Sequence, residues 1–206
     1  MRRYARMKIF IPLFLCVPFF LISPQRVSAG EPTNEVRQSV DAVIKILKNK
    51  ELKKPGKAAE RRADIRKAVG ERFDFEEMAK RSLSIYWRKR TPEEKKEFVS
   101  LFSDLIENTY IRKIEKYTDE KIVYTGEKID GPYAVVRTSV ITAKETEIPI
   151  DYRLLTKDGK WVAYDVVIEG VSLVNNYRNQ FNQIINSGSY ENLVKKLKDK
   201  TIKEPK

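Results

Sequence analysis

Residues 161–185, WVAYDVVIEGVSLVNNYRNQFNQII, change hydrophobic period halfway along, and that change sets the fold class. Up to Ile168 the apolar positions alternate, which puts Val162, Tyr164, Val166 and Ile168 on one face of a predicted strand. Gly170 ends the alternation. Beyond it Leu173, Val174, Tyr177, Phe181, Ile184 and Ile185 recur at helical spacing. One strand and one helix thus turn large apolar side chains toward a common interior. The stretch holds no nucleophile–base set and no cluster of metal ligands.

Three more strands precede it. Residues 121–128, 133–143 and 146–156 have strand composition, and Asp130-Gly131 and 157–160 (KDGK) are turn signals between runs. Strands joined this tightly pair in sequence as an antiparallel meander. In the third of them Ile148, Ile150, Tyr152 and Leu154 share a face, while Glu147, Asp151 and Arg153 take the other. The sheet is expected to have one dry face and one wet face.

Upstream the periods are helical. Residues 34–52 carry Val36, Val40, Val43, Ile44 and Leu47 on one face and stop at Pro55-Gly56. A charged helix over 57–69 follows. Asp74 with Glu77 reads as the start of a short helix, continued in helical turns over 82–90. Thr91-Pro92-Glu93-Glu94 supplies a cap, a proline at the first helical position and a capping-box glutamate. The helix it starts shows Phe98, Leu101, Phe102, Leu105, Ile106 and Tyr110 at core spacing and is expected to reach about residue 117. A cap at Ser189 opens a last basic helix with Leu193, Val194 and Leu197. Helices at 34–118, a sheet at 121–169 and helices again at 172–203 make an α+β chain: a twisted antiparallel sheet of about four strands with helices packed on one face.

Residues 1–29 are expected to lie outside that domain. Arg2, Arg3, Arg6 and Lys8 precede an apolar run at 9–22, and Val27-Ser28-Ala29 fits a signal-peptidase site. The apolar run, about 14 residues, is shorter than the roughly 20 that a spanning helix needs. Residues 30–206 then form a single exported domain. Cys16, the one cysteine, would leave with the leader, so no disulfide and no thiol nucleophile are expected.

The chain has no histidine, which removes Ser-His-Asp and Cys-His catalysis and His-ligated zinc. The leader holds five of the 41 basic residues and none of the 29 acidic ones, leaving the domain at a net charge of +7. For an exported protein such a surface faces anionic membranes or acidic partners rather than nucleic acid.

Two polar features invite chemistry. Asp165 and Glu169 fall on one strand face near Asp151, a pair able to do acid–base work or to sit on the outer face against Arg137, Arg153 or Arg178. Arg178 stands either at a cavity mouth or in an ion pair with Asp165 or Glu169, and the ion pair is the expectation. The many aromatic residues fit an ordinary packed core as well as a cavity, since periodicity does not distinguish them.

The order of residues 161–181, W-V-A-Y-D-V-x-I-E-G-V-S-L-V-x-N-Y-R-x-Q-F, resembles the signature of the MlaC family, also called the toluene-tolerance family of ABC-transporter auxiliary proteins. Phe73-Asp74-Phe75, Met78-Ala79, Trp87-Arg88, the segment 91–94, Phe98, Phe102 and Thr109-Tyr110 follow the family's order and spacing. Ser84 departs from it, standing where the family often has glycine between the leucine and the tryptophan.

The resemblance implies a soluble periplasmic carrier of glycerophospholipid in a Gram-negative envelope. Such carriers have an NTF2/cystatin-like sheet and exchange lipid between an outer-membrane lipoprotein–porin complex and an inner-membrane ABC transporter with an MCE-ring protein. It implies a monomer that is not an enzyme, with bound phospholipid as cargo and no cofactor, acting to maintain outer-membrane lipid asymmetry. Under it the acyl tails enter an apolar pocket expected to be lined by Ile148, Ile150, Tyr152, Val162, Tyr164, Val166 and Ile168 from the strands. From the helices come Phe98, Phe102, Leu105, Leu173, Val174, Tyr177 and Phe181. The alternative is an interaction module of the same fold with a filled core and no lipid.

Overall fold

A computed structural model describes residues 31–202. The expected leader at 1–29, with Cys16, lies outside the described residues; the last helix, expected to reach 203, ends at Lys198, where Asp199 caps it. The elements run α1 (Pro32–Lys48), α2 (Ala58–Gly70), α3 (Phe75–Leu83), a 3-10 turn (Ser84–Lys89), α4 (Pro92–Ile114), β1 (Lys121–Asp130), β2 (Tyr133–Ile141), β3 (Glu147–Lys157), β4 (Lys160–Ile168), β5 (Val171–Ser172), α5 (Leu173–Ser187) and α6 (Tyr190–Lys198). The fold is α+β, and the sheet is an antiparallel meander in the order β1-β2-β3-β4-β5. The two-residue β5 is the strand not foreseen; it is too short to show a period.

Local chemistry explains the element ends. The Thr91 hydroxyl accepts from the Glu94 amide at 3.2 Å, and the Glu94 carboxylate accepts from the Thr91 amide at 2.8 Å, closing the capping box of α4. Asp74, Ser172 and Ser189 cap α3, α5 and α6 by accepting from the amides of Glu77, Asn175 and Asn192. The start of α1 is held from afar: Glu127 of β1 accepts from both the amide and the hydroxyl of Thr33, at 2.8 and 2.5 Å. Two helices stop earlier than their apolar spacing suggests. Helix α1 ends at Lys48 because Asn49 turns extended, leaving Leu52 buried from a turn instead; α4 ends at Ile114. Helical turns do not run smoothly from α3 into 84–89 either. Ser84 takes φ 54°, ψ −124°, which breaks the helix and starts a separate 3-10 turn.

Apolar side chains gather in three places. Met78, Ala79, Leu83, Phe98, Phe102, Ile106, Val174, Tyr177, Phe181, Tyr190, Leu193 and Leu197 form a helical core of α3, α4, α5 and α6. Val36 of α1 packs with Ala134, Val136, Leu154, Trp161 and Ala163 on the sheet. Leu47, Ile65 and Ile111 join α1, α2 and α4. The outer border of β4 is closed twice. The backbone at 72–74 bonds to Ala163, through Ala163 N to Arg72 O at 2.8 Å and Asp74 N to Ala163 O at 2.9 Å, and β5 pairs with Val167 and Ile168.

Candidate functional site

The register of the sheet places side chains on its dry face in successive rows. Ala134, Leu154 and Ala163 form one row; Val136, Tyr152 and Val166 the next; then Tyr124, Thr138, Ile150 and Ile168; then Ile122, Val140 and Ile148. The first row and Val136 are buried beneath α1. Further along, Ile122, Tyr124, Val140, Ile148, Ile150 and Ile168 are only half-buried, and only Tyr124 among them joins a core cluster. The dry face is therefore sealed at one end and an apolar wall at the other.

Tyr152 stands at the boundary. It is enclosed deeply enough for burial to push its phenol up to about 12, with a smaller contribution from Tyr124. The residue as a whole is half-buried, packed against the cluster under α1 on one side and next to the half-buried rows on the other. Tyr124, in the neighbouring row, has its phenol raised chiefly by burial, and its hydroxyl has no hydrogen-bond partner among the described residues. The Arg37 guanidinium lies 4.1 Å over the Tyr124 ring, at the α1 side of the wall.

Five of the expected strand positions meet on this face: Ile148, Ile150, Tyr152, Val166 and Ile168. Val162 and Tyr164 do not, and their shared face with Val166 is corrected. Asp165 lies opposite Arg153 and Ala163 opposite Leu154, so Tyr164 is an extra residue on β4. A bulge of this kind shifts the alternation by one. Trp161 and Ala163 take the dry face, while Val162 pairs with Leu155 on the other. Tyr164 meets the Tyr133 ring edge-on at 6.1 Å and lies under Arg81 at 4.1 Å. Ile122, Tyr124 and Val140 are wall residues missing from the expected set; the alternation of Ile122 with Tyr124 was the available signal.

The expected helical positions divide too. Phe98, Phe102 and Phe181 are fully buried and pack on one another, with ring centroids 5.7 to 6.2 Å apart. Tyr177 adds edge and stacked contacts to Phe102 and Phe181, each at 5.8 Å. These rings form a solid aromatic block. Val174 borders the same block and Leu105 is half-buried against it, whereas Leu173 is buried outside it at the start of α5.

The carboxylate candidates resolve structurally. Asp165 is buried and accepts from the Ser172 hydroxyl at 2.6 Å, the Val174 amide at 3.0 Å and Arg153 Nη1 at 3.1 Å. Its lone pairs are committed to holding β4 to α5, which denies it the cleft that acid–base work requires. Glu169 is exposed in the turn after β4. Arg178, expected to pair with one of these carboxylates, instead donates from Nε to the Arg81 carbonyl at 2.9 Å, joining α5 to α3. Among the described residues no three His, Cys, Asp or Glu side chains converge as metal ligands, and no helix is long and apolar enough to cross a membrane.

Two surface grooves share no residue with the expected set. One, of about 450 Å³, runs between α4 and α6 and is lined by Glu94, Glu97, Tyr190 and Lys198 among others. The other, of about 380 Å³, lies between the 3-10 turn and the start of α4, lined by Glu76, Trp87, Pro92, Lys95, Lys96 and Val99.

The family model described as MlaC protein matches residues 37–199, which span every element from α1 to α6. The chain belongs to the MlaC family. Two relatives carry the likeness at sequence level. The intermembrane phospholipid transport system binding protein MlaC of Haemophilus influenzae is 23% identical over 195 residues, covering 92% of this chain and 91% of that protein. The toluene tolerance protein Ttg2D of Pseudomonas putida is 27% identical over 158 residues, covering 75% and 73%. A phospholipid-binding protein from Ralstonia solanacearum, solved in complex with a phospholipid, superposes with a TM-score of 0.75 at 24% identity, covering 82% of this chain and 96% of that one. This last likeness is one of fold. The Haemophilus relative is thus nearly co-extensive with this chain.

Proposed function

We propose that this chain is a soluble periplasmic carrier that shelters the acyl tails of a glycerophospholipid and moves the lipid between outer- and inner-membrane complexes, maintaining outer-membrane lipid asymmetry. The tails lie along the half-buried end of the dry face, against Ile148, Ile150, Tyr152, Val166 and Ile168 together with Ile122, Tyr124 and Val140. Leu105, Leu173 and Val174 face them from the helices, while Tyr177, Phe98, Phe102 and Phe181 are the rigid block behind. Val162 and Tyr164 fall outside this lining.

The observation that carries the proposal is the run of half-buried apolar side chains Ile122, Tyr124, Val140, Ile148, Ile150, Tyr152 and Ile168 on the dry face, beyond the row packed under α1. The phospholipid in the Ralstonia protein and the transport role in the name of the Haemophilus relative support the same cargo. Sequestration needs no catalytic group. Each buried methylene contributes about 0.8 kcal/mol, so two tails supply ample affinity to an apolar wall. Delivery then requires a docked partner that opens the site: an ABC transporter with an MCE-ring protein at the inner membrane and a lipoprotein–porin complex at the outer.

The test is to express the full chain in a Gram-negative host, purify it, denature it and identify extracted lipid by mass spectrometry. Diacyl lipid at one molecule per chain is expected. A protein that carries none and takes up none from labelled vesicles is the lipid-free interaction module instead.

A further inference from the structure

The turn between α3 and α4 displays a side chain that internal packing does not explain. Ile85 is 69% exposed, more than any other large apolar residue among those described. It follows Ser84, whose positive φ breaks the helix, and the 3-10 turn continues through Tyr86, Trp87, Arg88 and Lys89. The two aromatic residues are half-buried and anchored. The Tyr86 hydroxyl donates to Asn186 Oδ1 at 2.7 Å, and Lys95 Nζ stands 5.6 Å over the Trp87 ring. The turn is therefore fixed to the body while its one aliphatic tip remains in water.

Positive charge surrounds that tip. Arg88 and Lys89 are exposed on the turn, and Lys95 and Lys96 stand across the groove of about 380 Å³. Arg88, Lys89 and Lys96 form no ion pair among the described residues. The carboxylates nearby are Glu76, which lines the groove, and Glu93, whose acidity is strengthened by hydrogen bonds at the start of α4. Four cations against two carboxylates leave the patch positive.

We propose that this turn is a docking surface for an anionic lipid bilayer. Ile85 enters the boundary between head groups and acyl chains, Tyr86 and Trp87 sit at head-group level, and Arg88, Lys89, Lys95 and Lys96 meet lipid phosphates. Aromatic rings with one polar end favour that depth, and basic side chains near an anionic leaflet are attracted to it. A bilayer suits this patch better than a protein partner does. A protein hot spot seats its anchor in a matching pocket, whereas a single protruding isoleucine flanked by cations needs only a fluid apolar layer. One aliphatic side chain and a few cations give a weak, reversible contact.

The inference does not depend on the cargo, and its test is read apart from lipid loading. The protein purified from the full-chain expression is co-sedimented with phosphatidylcholine vesicles, with and without phosphatidylglycerol. Binding is expected on the anionic vesicles, falling with salt, and far weaker on phosphatidylcholine alone. Ile85→Ser is expected to weaken it about tenfold, and the double change Arg88→Glu with Lys89→Glu by at least about tenfold. Both leave the melting temperature and co-purified lipid unchanged, because neither side chain packs in a core. Equal binding to the two vesicle types, no binding to either, or binding untouched by both variants overturns the proposal.

Discussion

The Ser172 hydroxyl donates to Asp165 across 2.6 Å while accepting from the Asn175 amide at 3.1 Å. One side chain thus caps α5 and ties the start of the helix to β4. Asp165→Ala would strip the buried Ser172 hydroxyl and Val174 amide of their acceptor. A loss of about 3 kcal/mol is expected in urea denaturation followed by circular dichroism. Asp165→Asn, which keeps one acceptor oxygen, should lose less. A neutral Asp165→Ala would contradict the structural role.

Ser84 adopts φ 54°, ψ −124°, where a Cβ is strained and glycine is not. Ser84→Gly should raise stability by about 1 kcal/mol, even after the extra freedom glycine gives the unfolded chain. A fall in melting temperature would mean that the left-handed turn is not held in solution.

The bulge at Tyr164 makes a paired experiment on cargo possible. Ile150 lies on the half-buried wall and Val162 on the opposite face. Changing each to threonine preserves the branched side chain that strands favour. Ile150→Thr should reduce retained diacyl lipid about tenfold, from lost apolar surface and a hydroxyl placed against the tails. Val162→Thr should leave loading unchanged. Equal losses would put the tails elsewhere.

Tyr152 predicts how the fold fails in alkali. Its phenol is pushed up to about 12 from an ordinary value of 10.0. Below pH 10 the folded and unfolded phenols are both protonated, so stability does not depend on them. Between 10 and about 12 only the unfolded phenol ionises, and stability falls as pH rises. The contribution is about 3 kcal/mol over that window. Tyr190, also pushed up to about 12 chiefly by burial, adds to the same decline. Tyr152→Phe should flatten part of the slope when urea midpoints are compared at about pH 9 and about pH 11.5. An unchanged slope would show that Tyr152 titrates as an exposed phenol.

Much of this architecture is written in local chemistry. Thr91 with Glu94, Asp74 with Glu77, and Ser189 each mark a helix start by side-chain bonds made within three residues, and such bonds are legible wherever they occur. The meander is likewise legible, because its turns are short. What local pattern does not carry is an inserted residue. Alternation puts Val162, Tyr164, Val166 and Ile168 together, and the bulge divides them two and two. Nor does spacing say what covers an apolar face. Phe98 and Ile150 each sit on one, yet Phe98 is sealed among rings while Ile150 stays half-buried. The partner of Arg178 is hidden from pattern for the same reason. It is the backbone carbonyl of Arg81, 97 residues away, a group every residue type shares.

The two borders of the sheet are unlike, and the difference bears on solubility at high concentration. The β4 side is closed by 72–74 and β5, so the β1 side is where a second molecule would have to add a strand. There the backbone is interrupted by the shift of register between Tyr124 and Gly126 and carries the exposed Lys121 and Lys128. A kinked, charged margin is a poor template for intermolecular pairing. A protein with a large apolar wall inside is in this way protected from growing into fibres along its rim.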